Sequence, residues 1–539
     1  MRARLETIRR LLSDDGSLWK TVYNYSLPGH AKVLMPPCSH HAPAASAARY
    51  QRHRPEQTPL YRLVQQHART FTAHCEAAGT HLPRFVTDEF DAYLACGILA
   101  HGFLRLTCDT CAKDTLVAFS CKRRGFCPSC GTRRMNESAA HLADAIIPRV
   151  PVRQWVLSFP IPLRSLLAVH PELLTSVLAV VQRAITSHHI QQAGVARKEA
   201  HTGSVTLIQR FGSAANLNIH LHGLWLDGVY QHHRPAAPCA SQPQATSETA
   251  PAAPTFHETP PPTPAQLAIL LDKLIKRILK LLTKSGYLIE AEGTVYLDNT
   301  DPDNPLAPLQ AASATWRIAQ GPRAGQKVLR LVGSDEWQEP HRSRDAHDAL
   351  CANAHGFSLD AGVRCEAHDR QGLEQLCRYI TRPAISNERL RINAKGQVIL
   401  KLKTPWKDGT SHIVLEPLEF MQRLAALVPR PRLHLTRFHG VLAPNAKLRS
   451  KVVLGASEPT TADPCEHAEH RAPVRMSWAR MLKRVFDIEI ERCACGGKLK
   501  LVAAIEQPDV IEKILTHLGL SPQPPPIAPA RREWLFEAA

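Results

Sequence analysis

The clearest pattern of apolar and polar positions lies in residues 203–231, which predict two strands joined by a polar turn. In the second strand, Ile219 and Leu221 alternate with His220 and His222. Side chains two residues apart in a strand point to the same face of a sheet. We therefore expect the two histidines to share a polar face while the apolar residues face a core.

Three other stretches have the spacing of amphipathic helices, at 166–185, 264–285 and 372–383. The third helix is expected to end at Pro383, because proline disfavours helical geometry in the residue before it. Tyr379 lies at the edge of the apolar stripe of this helix. The pattern therefore places a tyrosine beside the face with which the helix packs against a core.

Composition and periodicity divide the chain into four parts. Residues 1–60 lack sustained periodicity and are interpreted as a loosely ordered extension, and 61–150 contain helices followed by a cysteine-rich segment. Residues 151–460 hold the alternating strands and the tyrosine helix, with a proline-rich linker inserted at 234–264. A small module that contains cysteine and histidine occupies 461–539.

The charge of the chain indicates its partner. Its 539 residues include 66 Lys+Arg and 48 Asp+Glu, which gives a formal charge of +18. Such an excess predicts a polyanion, either nucleic acid or an anionic membrane surface. No uninterrupted apolar stretch of roughly 18 residues occurs, so the membrane is the weaker interpretation.

No apolar signal core follows the N-terminal arginines, so we expect an intracellular protein. Its 15 cysteines then predict metal ligands and reduced thiols.

Four of these cysteines form two CxxC pairs, Cys108 with Cys111 and Cys127 with Cys130, with fifteen residues between them. Each pair can direct two thiolates at one ion, so the four together predict a single structural Zn²⁺ site. Cys121 lies between the pairs and is interpreted as a spare buried thiol. The surrounding basic residues predict contacts with a phosphate backbone, with plain solubility as the alternative. These basic residues are Lys122, Arg123, Arg124, Arg133 and Arg134.

A further pair, Cys493 and Cys495, lies in the tail module with one residue between the cysteines. One interpretation is a second zinc site completed by a nearby tail residue, for which the candidates are Cys465, His467 and His470. The alternative is that the tail packs through an apolar strand and binds no metal. The sequence leaves both interpretations open.

The residue types fit metal-assisted attack on a phosphodiester. Neutral imidazole is a common metal ligand, so His220 and His222 can hold a divalent cation. Tyr379 can then act as the nucleophile that displaces the 3′ oxygen. Arg378 and Arg382 lie on either side of this tyrosine in the sequence, and their guanidinium groups can neutralise charge that develops on the phosphate oxygens.

The third ligand of this cation is not determined by the sequence. Gln209 and Asp227 are the candidates, because both flank the histidine strand and carry a side-chain oxygen. Each could instead make a hydrogen bond at a strand edge. Gln209 is the residue assigned to the metal site, with Asp227 kept as the alternative.

Several sequence blocks in one order resemble a known family. They are FCPSC at 126–130, LIQRFGS at 207–213 leading to NIHLH at 218–222, RYITRPAIS at 378–386, FHGVLAP at 438–444, and SWA at 477–479 with GG at 496–497. With these blocks the chain resembles the rolling-circle (HUH-type) transposases of the insertion-sequence 91 family, especially the branch of the common-region elements. The resemblance covers nearly all of 60–539.

This resemblance implies an α+β fold with an HUH endonuclease core, a central antiparallel sheet flanked by helices, between a zinc-binding DNA-contact domain and a Cys-bearing tail. It implies Mg²⁺ or Mn²⁺ at the two histidines, structural Zn²⁺, and a transient 5′-phosphotyrosine on nicked DNA. The expected partners are single-stranded hairpin ends of a mobile element and host replication proteins. The expected location is the bacterial cytoplasm, at the nucleoid.

The chain departs from this pattern in two places. Many relatives have two tyrosines four residues apart, whereas the earlier position is Gln375 in this chain. The tail pair is usually CxxC and is CxC in this chain. Two other functions share some of these features: a plasmid relaxase or replication initiator, and a non-catalytic zinc-dependent DNA-binding protein.

Overall fold

A computed structural model of the protein describes residues 48–49, 52–232, 253–291, 294–297, 304–332, 350–406, 408–454, 483 and 488–531. Most of the expected N-terminal extension and much of the proline-rich linker lie outside the described residues, as do Cys465, His467 and His470. Within the described ranges, no helix is both long enough and apolar enough to cross a membrane.

The described residues form a mixed α+β structure. The helices, in chain order, are α1 (Pro59–Ala77), α2 (Arg84–Ala95), α3 (Pro128–His141), α4 (Ile161–Val169), α5 (Leu173–Ala193), α6 (Pro264–Lys284), α7 (Ala307–Ala314), α8 (Arg370–Thr381), α9 (Pro417–Leu427), α10 (Arg449–Val452) and α11 (Pro508–His517). The strands up to residue 300 are β1 (Ala48–Arg49), β2 (Phe103–Cys108), β3 (Asp114–Ala118), β4 (Val152–Ser158), β5 (Ala200–His201), β6 (Gly203–Phe211), β7 (Leu217–Leu226), β8 (Gly228–Gln231), β9 (Thr255–Glu258), β10 (Leu288–Ala291) and β11 (Thr294–Leu297). The later strands are β12 (Leu329–Val332), β13 (Cys351–Ala354), β14 (Phe357–Asp360), β15 (Arg364–Cys365), β16 (Leu390–Ile392), β17 (Val398–Lys401), β18 (Thr410–Leu415), β19 (Thr436–Gly440), β20 (Ile488–Glu489) and β21 (Leu499–Ile505).

The largest sheet has the strand order β13-β14-β4-β7-β6-β19, and β15 also pairs with β4. All of these pairs are antiparallel. Strand β7, which contains both histidines, is hydrogen-bonded to β4 on one side and to β6 on the other. The two strands predicted within 203–231 are therefore confirmed as β6 and β7, although the end of this range forms the separate strand β8, which pairs with β5 and β9 in another sheet. The histidine strand lies in the interior of the largest sheet.

The two faces of this sheet pack against different helices. One face contributes Ile219 and Leu221 to the largest apolar core. The opposite face contributes Leu207 and Leu224 to a second core, which α8 covers with Cys377 and other apolar side chains. Because side chains alternate along β7, the histidines share the face that the tyrosine helix covers.

Two of the three predicted helices are confirmed as α6 and α8. The helix predicted over 166–185 is wrong as a single element, because α4 ends at Val169 and α5 begins at Leu173. The break lies at Pro171, and the preceding His170 has φ −113° and ψ 71°. Proline moves the residue before it out of the helical region.

The tail joins the cysteine-rich segment. Strand β21 of the tail pairs with β2, and β2 pairs with β3, so residues from both ends of the chain share one three-stranded sheet. The side-chain amide of Gln65 also donates to the carbonyl of Pro526 at 2.8 Å. The separate tail module expected over 461–539 is therefore packed on the N-terminal part of the chain.

Candidate active site and metal centres

His220 is held in one tautomer by its own strand. Its Nδ1 lies 2.9 Å from the backbone carbonyl of Asn218. A carbonyl oxygen can only accept, so Nδ1 carries the hydrogen and Nε2 keeps a lone pair. Burial lowers the pKa of His220 to about 4. The hydrogen bond to Asn218 opposes this shift, and the charges of Arg382 and Arg164 add to it. The ring is therefore neutral at pH 7, which is the form that binds a metal.

His222 contacts the side chain of Gln154, with 2.6 Å between the amide nitrogen and Nδ1. Among the described residues, the buried Nε2 of His222 has no hydrogen-bond partner. Burial and the neighbouring His220 and Arg382 lower the pKa of His222 well below its usual value. As placed, the amide nitrogen of Gln154 donates to Nδ1, which leaves the ring hydrogen on Nε2. The flipped amide has the same shape and presents its oxygen to the ring; in that orientation Nδ1 carries the hydrogen and the unpartnered Nε2 keeps its lone pair for a cation.

Gln209 lies directly across from His220, on the neighbouring strand β6. Its side-chain nitrogen donates to the carbonyl of Ile380 at 3.0 Å, which ties β6 to the tyrosine helix. Its Oε1 is buried and has no partner within the described part of the chain. An unpartnered buried acceptor costs free energy, so the Oε1 of Gln209 and the Nε2 of His222 both fit a divalent cation.

Asp227, the alternative ligand, is engaged elsewhere. Both of its carboxylate oxygens accept hydrogen bonds from Arg153, at 2.9 and 2.8 Å. Arg364 donates to the same carboxylate at 2.8 Å. The side chain is 1% exposed, so these ion pairs compensate for the burial of its charge. The carboxylate of Asp227 is therefore already occupied by two arginines, whereas the Oε1 of Gln209 is not.

Tyr379 faces the histidines from helix α8. Its ring centroid lies 6.2 Å from that of His222, with the two rings nearly perpendicular. Two basic side chains lie over the tyrosine ring: the guanidinium carbon of Arg382 at 4.4 Å and the Nζ of Lys403 at 4.2 Å from its centroid. The structure thus brings a tyrosine, two imidazoles and two basic side chains together at one face of the sheet.

The two arginines predicted to flank Tyr379 have different environments. Arg382 stacks on the ring and donates to the carbonyl of Tyr379 at 3.0 Å. Arg378 donates instead to Glu374, one helical turn earlier, at 2.6 Å. The charge of Arg378 is thus partly balanced within the helix, whereas Arg382 is in contact with the tyrosine.

Sequence analysis missed Lys403, which follows β17 and reaches the tyrosine from a separate part of the chain. Burial lowers the pKa of Lys403 to about 6, with further lowering by the charges of Arg382 and Arg389. A single lysine after a strand has no pattern that distinguishes it from a surface residue. Only the fold places its amine over the ring.

The cysteines form two clusters, and the prediction of one shared site for the two CxxC pairs is wrong. Cys127 and Cys130 join Cys96 and Cys121 in a largely buried cluster. Cys121, interpreted as a spare thiol, thus belongs to this group. A second cluster contains Cys108 and Cys111 together with the tail cysteines Cys493 and Cys495. The Cys108 and Cys111 pair is completed by cysteines from the distant tail, whereas the Cys127 and Cys130 pair is completed by the nearby Cys121 and by Cys96. The two pairs separate because the turns that carry them lie in different parts of the fold.

The sulfur spacings test whether each cluster fits zinc. Zn–S bonds of about 2.3 Å put tetrahedral sulfur atoms about 3.8 Å apart. In the buried cluster, Sγ–Sγ distances are 3.7 Å for Cys96 and Cys130 and 3.8 Å for Cys96 and Cys127. In the second cluster, Cys111 and Cys493 are 3.6 Å apart. Both sets of four thiols therefore fit a tetrahedral zinc ion.

The CxC turn of the tail reaches the second cluster through local backbone contacts. Gly496 has φ +89°, a conformation that glycine adopts without strain, and the amide of Cys493 donates to Gly497 at 2.8 Å. Lys498 and Asp109 exchange backbone and side-chain hydrogen bonds between the two knuckles. The spacing that departs from CxxC is thus accommodated by a tight glycine turn.

Two family models match the chain. A transposase zinc-binding domain model, Zn_Tnp_IS91, matches residues 63–159, and a transposase model, Y2_Tnp, matches residues 264–450. No curated protein and no solved structure matches the chain. Both family models describe transposases, so the protein is an enzyme that binds and processes DNA. The chain belongs to the IS91 family of transposases.

Proposed function

We propose that this transposase nicks single-stranded DNA through Tyr379 and transfers the strand in rolling-circle transposition. His220, His222 and Gln209 would hold Mg²⁺ or Mn²⁺ in an HUH-type endonuclease core. The observation that carries the proposal is the face shared by the tyrosine ring, the unpartnered Nε2 of His222 and the unpartnered Oε1 of Gln209. A nucleophile beside a cation site is what metal-assisted phosphodiester cleavage requires.

Each residue has a role that follows from its position. The bound cation would polarise the scissile phosphate. Arg382 lies over the tyrosine ring, where its guanidinium can neutralise the phosphate oxygens and orient the attacking side chain. Lys403 has a lowered pKa, so its neutral amine is available to take the phenolic proton of Tyr379.

The bond changes of this step balance. A bond forms between the tyrosine oxygen and phosphorus while the bond between phosphorus and the 3′ oxygen breaks. The proton of the phenol passes to Lys403 and then protonates the departing 3′ oxygen. The products are a 5′-phosphotyrosine and a 3′ hydroxyl, and attack by another 3′ hydroxyl on the phosphotyrosine would transfer the strand and restore Tyr379.

The finer features of the proposal come from the sequence resemblance. They are the common-region branch, hairpin ends as substrate, host replication proteins as partners, and action at the bacterial nucleoid. With Gln375 in place of an earlier tyrosine, both strand-transfer steps would use Tyr379, either in one chain or in two copies. The basic residues around Cys127 and Cys130 support contact with the DNA backbone.

The first prediction is that Tyr379→Phe abolishes the covalent protein–DNA adduct. Wild-type protein is incubated with labelled single-stranded oligonucleotides and Mn²⁺, and adducts that survive SDS are measured on a gel. The phenylalanine ring keeps the packing but removes the nucleophilic oxygen, so adduct formation should fall below detection.

Tyr230→Phe is the matched control, because it removes a phenol from β8 and leaves the histidine face unchanged. This variant should form the adduct as wild type does. An adduct of wild-type yield in Tyr379→Phe would show that another residue is the nucleophile. No adduct from wild type with any divalent cation would instead favour a DNA-binding protein without nicking activity.

A further inference from the structure

A cavity of about 280 Å³ opens beside the tyrosine helix, between the cysteine-bearing segment and the histidine sheet. Its walls come from the loop before α3, from α3 itself, from β6, from the end of α8 and from the segment that leads to β19. Five arginines line it: Arg123, Arg124, Arg134, Arg210 and Arg382. None of the described residues in its wall is acidic.

Arg210 is the most unusual of these side chains. It is 5% exposed, and its Nε is buried without a hydrogen-bond partner in the described structure. No described acidic side chain forms an ion pair with it. Burial and the charge of Arg430 lower the pKa of Arg210 to about 10, so its guanidinium remains charged at pH 7. A buried charge without a counter-ion is destabilising unless a ligand supplies the opposite charge.

The neighbouring arginines are held in place by backbone carbonyls, which carry no full negative charge. The buried carboxylate of Glu89 lies near Arg123, Arg124 and Arg134, so one negative charge is shared among three guanidinium groups. Arg124 donates to the carbonyl of Leu433 at 2.7 Å. Arg134 donates to the carbonyls of Lys122 and Arg123 at 3.0 and 3.1 Å. These contacts orient the guanidinium groups around the cavity but do not neutralise them.

The charge of the wall identifies the class of ligand. A single phosphate group carries at most about two negative charges, fewer than the five positive charges of the arginines. A nucleic-acid strand presents one phosphate after another and meets a larger positive surface. Arg382 belongs both to the cavity and to the tyrosine site, so a strand lying in the cavity would lead to Tyr379.

We propose that this cavity, which we call the arginine cavity, binds backbone phosphates of the single strand next to the scissile bond, with Arg210 as a central contact. The inference rests on the proposed function for the identity of the strand. Arginine suits this role because its planar fork can donate two hydrogen bonds to one phosphate. Binding of the strand would supply the counter-charge that Arg210 lacks.

The test compares strand binding by Arg210→Gln and by wild type, both in a Tyr379→Phe background so that no cleavage occurs. A fluorescein-labelled single-stranded oligonucleotide of mixed sequence is titrated, and fluorescence anisotropy is followed over a series of salt concentrations. Arg210→Gln should weaken binding by about tenfold, because it removes a phosphate contact. The slope of log affinity against log salt should fall in magnitude by about 0.7.

The matched control is Arg197→Gln, which removes the same charge from an exposed arginine outside the cavity wall. Its affinity should remain within about twofold of wild type.

The melting temperature shows whether Arg210 contacts the ligand or stabilises the fold. Loss of an uncompensated buried charge should leave the melting temperature of Arg210→Gln equal to wild type or higher. If Arg210→Gln fails to fold, Arg210→Lys keeps the charge, and weaker strand binding with an unchanged melting temperature is the expected result.

Unchanged strand affinity in Arg210→Gln would overturn the proposal, and a lower melting temperature with unchanged affinity would assign the arginine a structural role.

Inorganic phosphate is the second probe. It should raise the melting temperature of the wild type but not that of Arg210→Gln. Loss of this phosphate effect with unchanged strand affinity would indicate a small phosphate ligand instead of the strand. Failure of the proposed function would appear separately, as the absence of an adduct from wild type.

Discussion

At the scale of single residues, the environment of Tyr379 is strongly positive. Arg382 and Lys403 lie over its ring, and the half-buried Arg389 is close enough to lower the pKa of Lys403. Positive charge at this position favours an incoming phosphate. Because the pKa of Lys403 is lowered, it loses its proton more readily than the arginines beside it.

We predict that Lys403→Arg slows adduct formation by about a hundredfold or more, because a guanidinium cannot accept the phenolic proton. The pKa of Lys403 is lowered to about 6, so the fraction of neutral amine increases as pH rises through that value. The wild-type rate of adduct formation should therefore increase with pH around 6 and then level off. Single-turnover rates on both sides of this pH give the measurement.

In Lys403→Arg this inflection should disappear. Lys395→Arg, which changes an exposed lysine in a turn, should keep both the rate and the inflection of the wild type. A normal rate with a normal pH profile in Lys403→Arg would mean that the lysine only packs against the ring and accepts no proton.

At the scale of elements, the position of the tyrosine helix depends on its packing against α3. The helices share a core that includes Ala139 from α3 and Leu373 and Cys377 from α8. A Cβ added to Gly131 in α3 would lie 2.7 Å from the Cβ of Pro383, just past the end of α8. Glycine at this position therefore allows the segment that carries a CxxC pair to approach the tyrosine helix.

We predict that Gly131→Ala destabilises the protein, although alanine is the better helix former. Helix propensity alone would stabilise by about 1 kcal/mol. The contact with Pro383 should cost about 1–3 kcal/mol by forcing the helices apart. The melting temperature and the rate of adduct formation should both decrease. An increased melting temperature, as helix propensity alone predicts, would contradict the close approach of these two elements.

At the scale of the whole molecule, the second cysteine cluster joins the two ends of the described chain. It links the Cys108 and Cys111 knuckle to Cys493 and Cys495 of the tail, and strand β21 continues this contact along β2. Several of its cysteines are exposed, whereas most thiols of the other cluster are buried. The two clusters should therefore lose metal at different rates.

We predict two Zn²⁺ ions per chain, of which a chelator removes the one at the exposed cluster first. The double variant Cys493→Ser, Cys495→Ser should bind one ion, because two thiolates and two hydroxyls make a much weaker site. Metal analysis and native mass spectrometry measure the stoichiometry. Limited proteolysis should then cleave the tail of this variant more rapidly than that of the wild type.

Cys351→Ser is the control, since this cysteine lies outside both clusters. It should keep both ions and the protease resistance of the wild type. A single ion in the wild type, or two ions in the double tail variant, would contradict zinc binding by the tail cysteines.

The sequence by itself determined the local features of the protein. Alternation along β7 predicted a strand with both histidines on one face, and apolar spacing with Pro383 predicted the tyrosine helix. Such periodicities are readable because each reports which face of one element is buried. The cysteine pairs likewise indicated metal binding, and the family motifs indicated a transposase.

Only the tertiary structure decided which distant residues meet. It separated the two CxxC pairs, joined Cys108 and Cys111 to the tail, brought Lys403 to Tyr379 and left Arg210 buried with no acidic partner among the described residues. These contacts depend on how strands and helices from remote parts of the chain pack together. Sequence periodicity reports the buried face of an element but not its partner, so these contacts required the assembled fold.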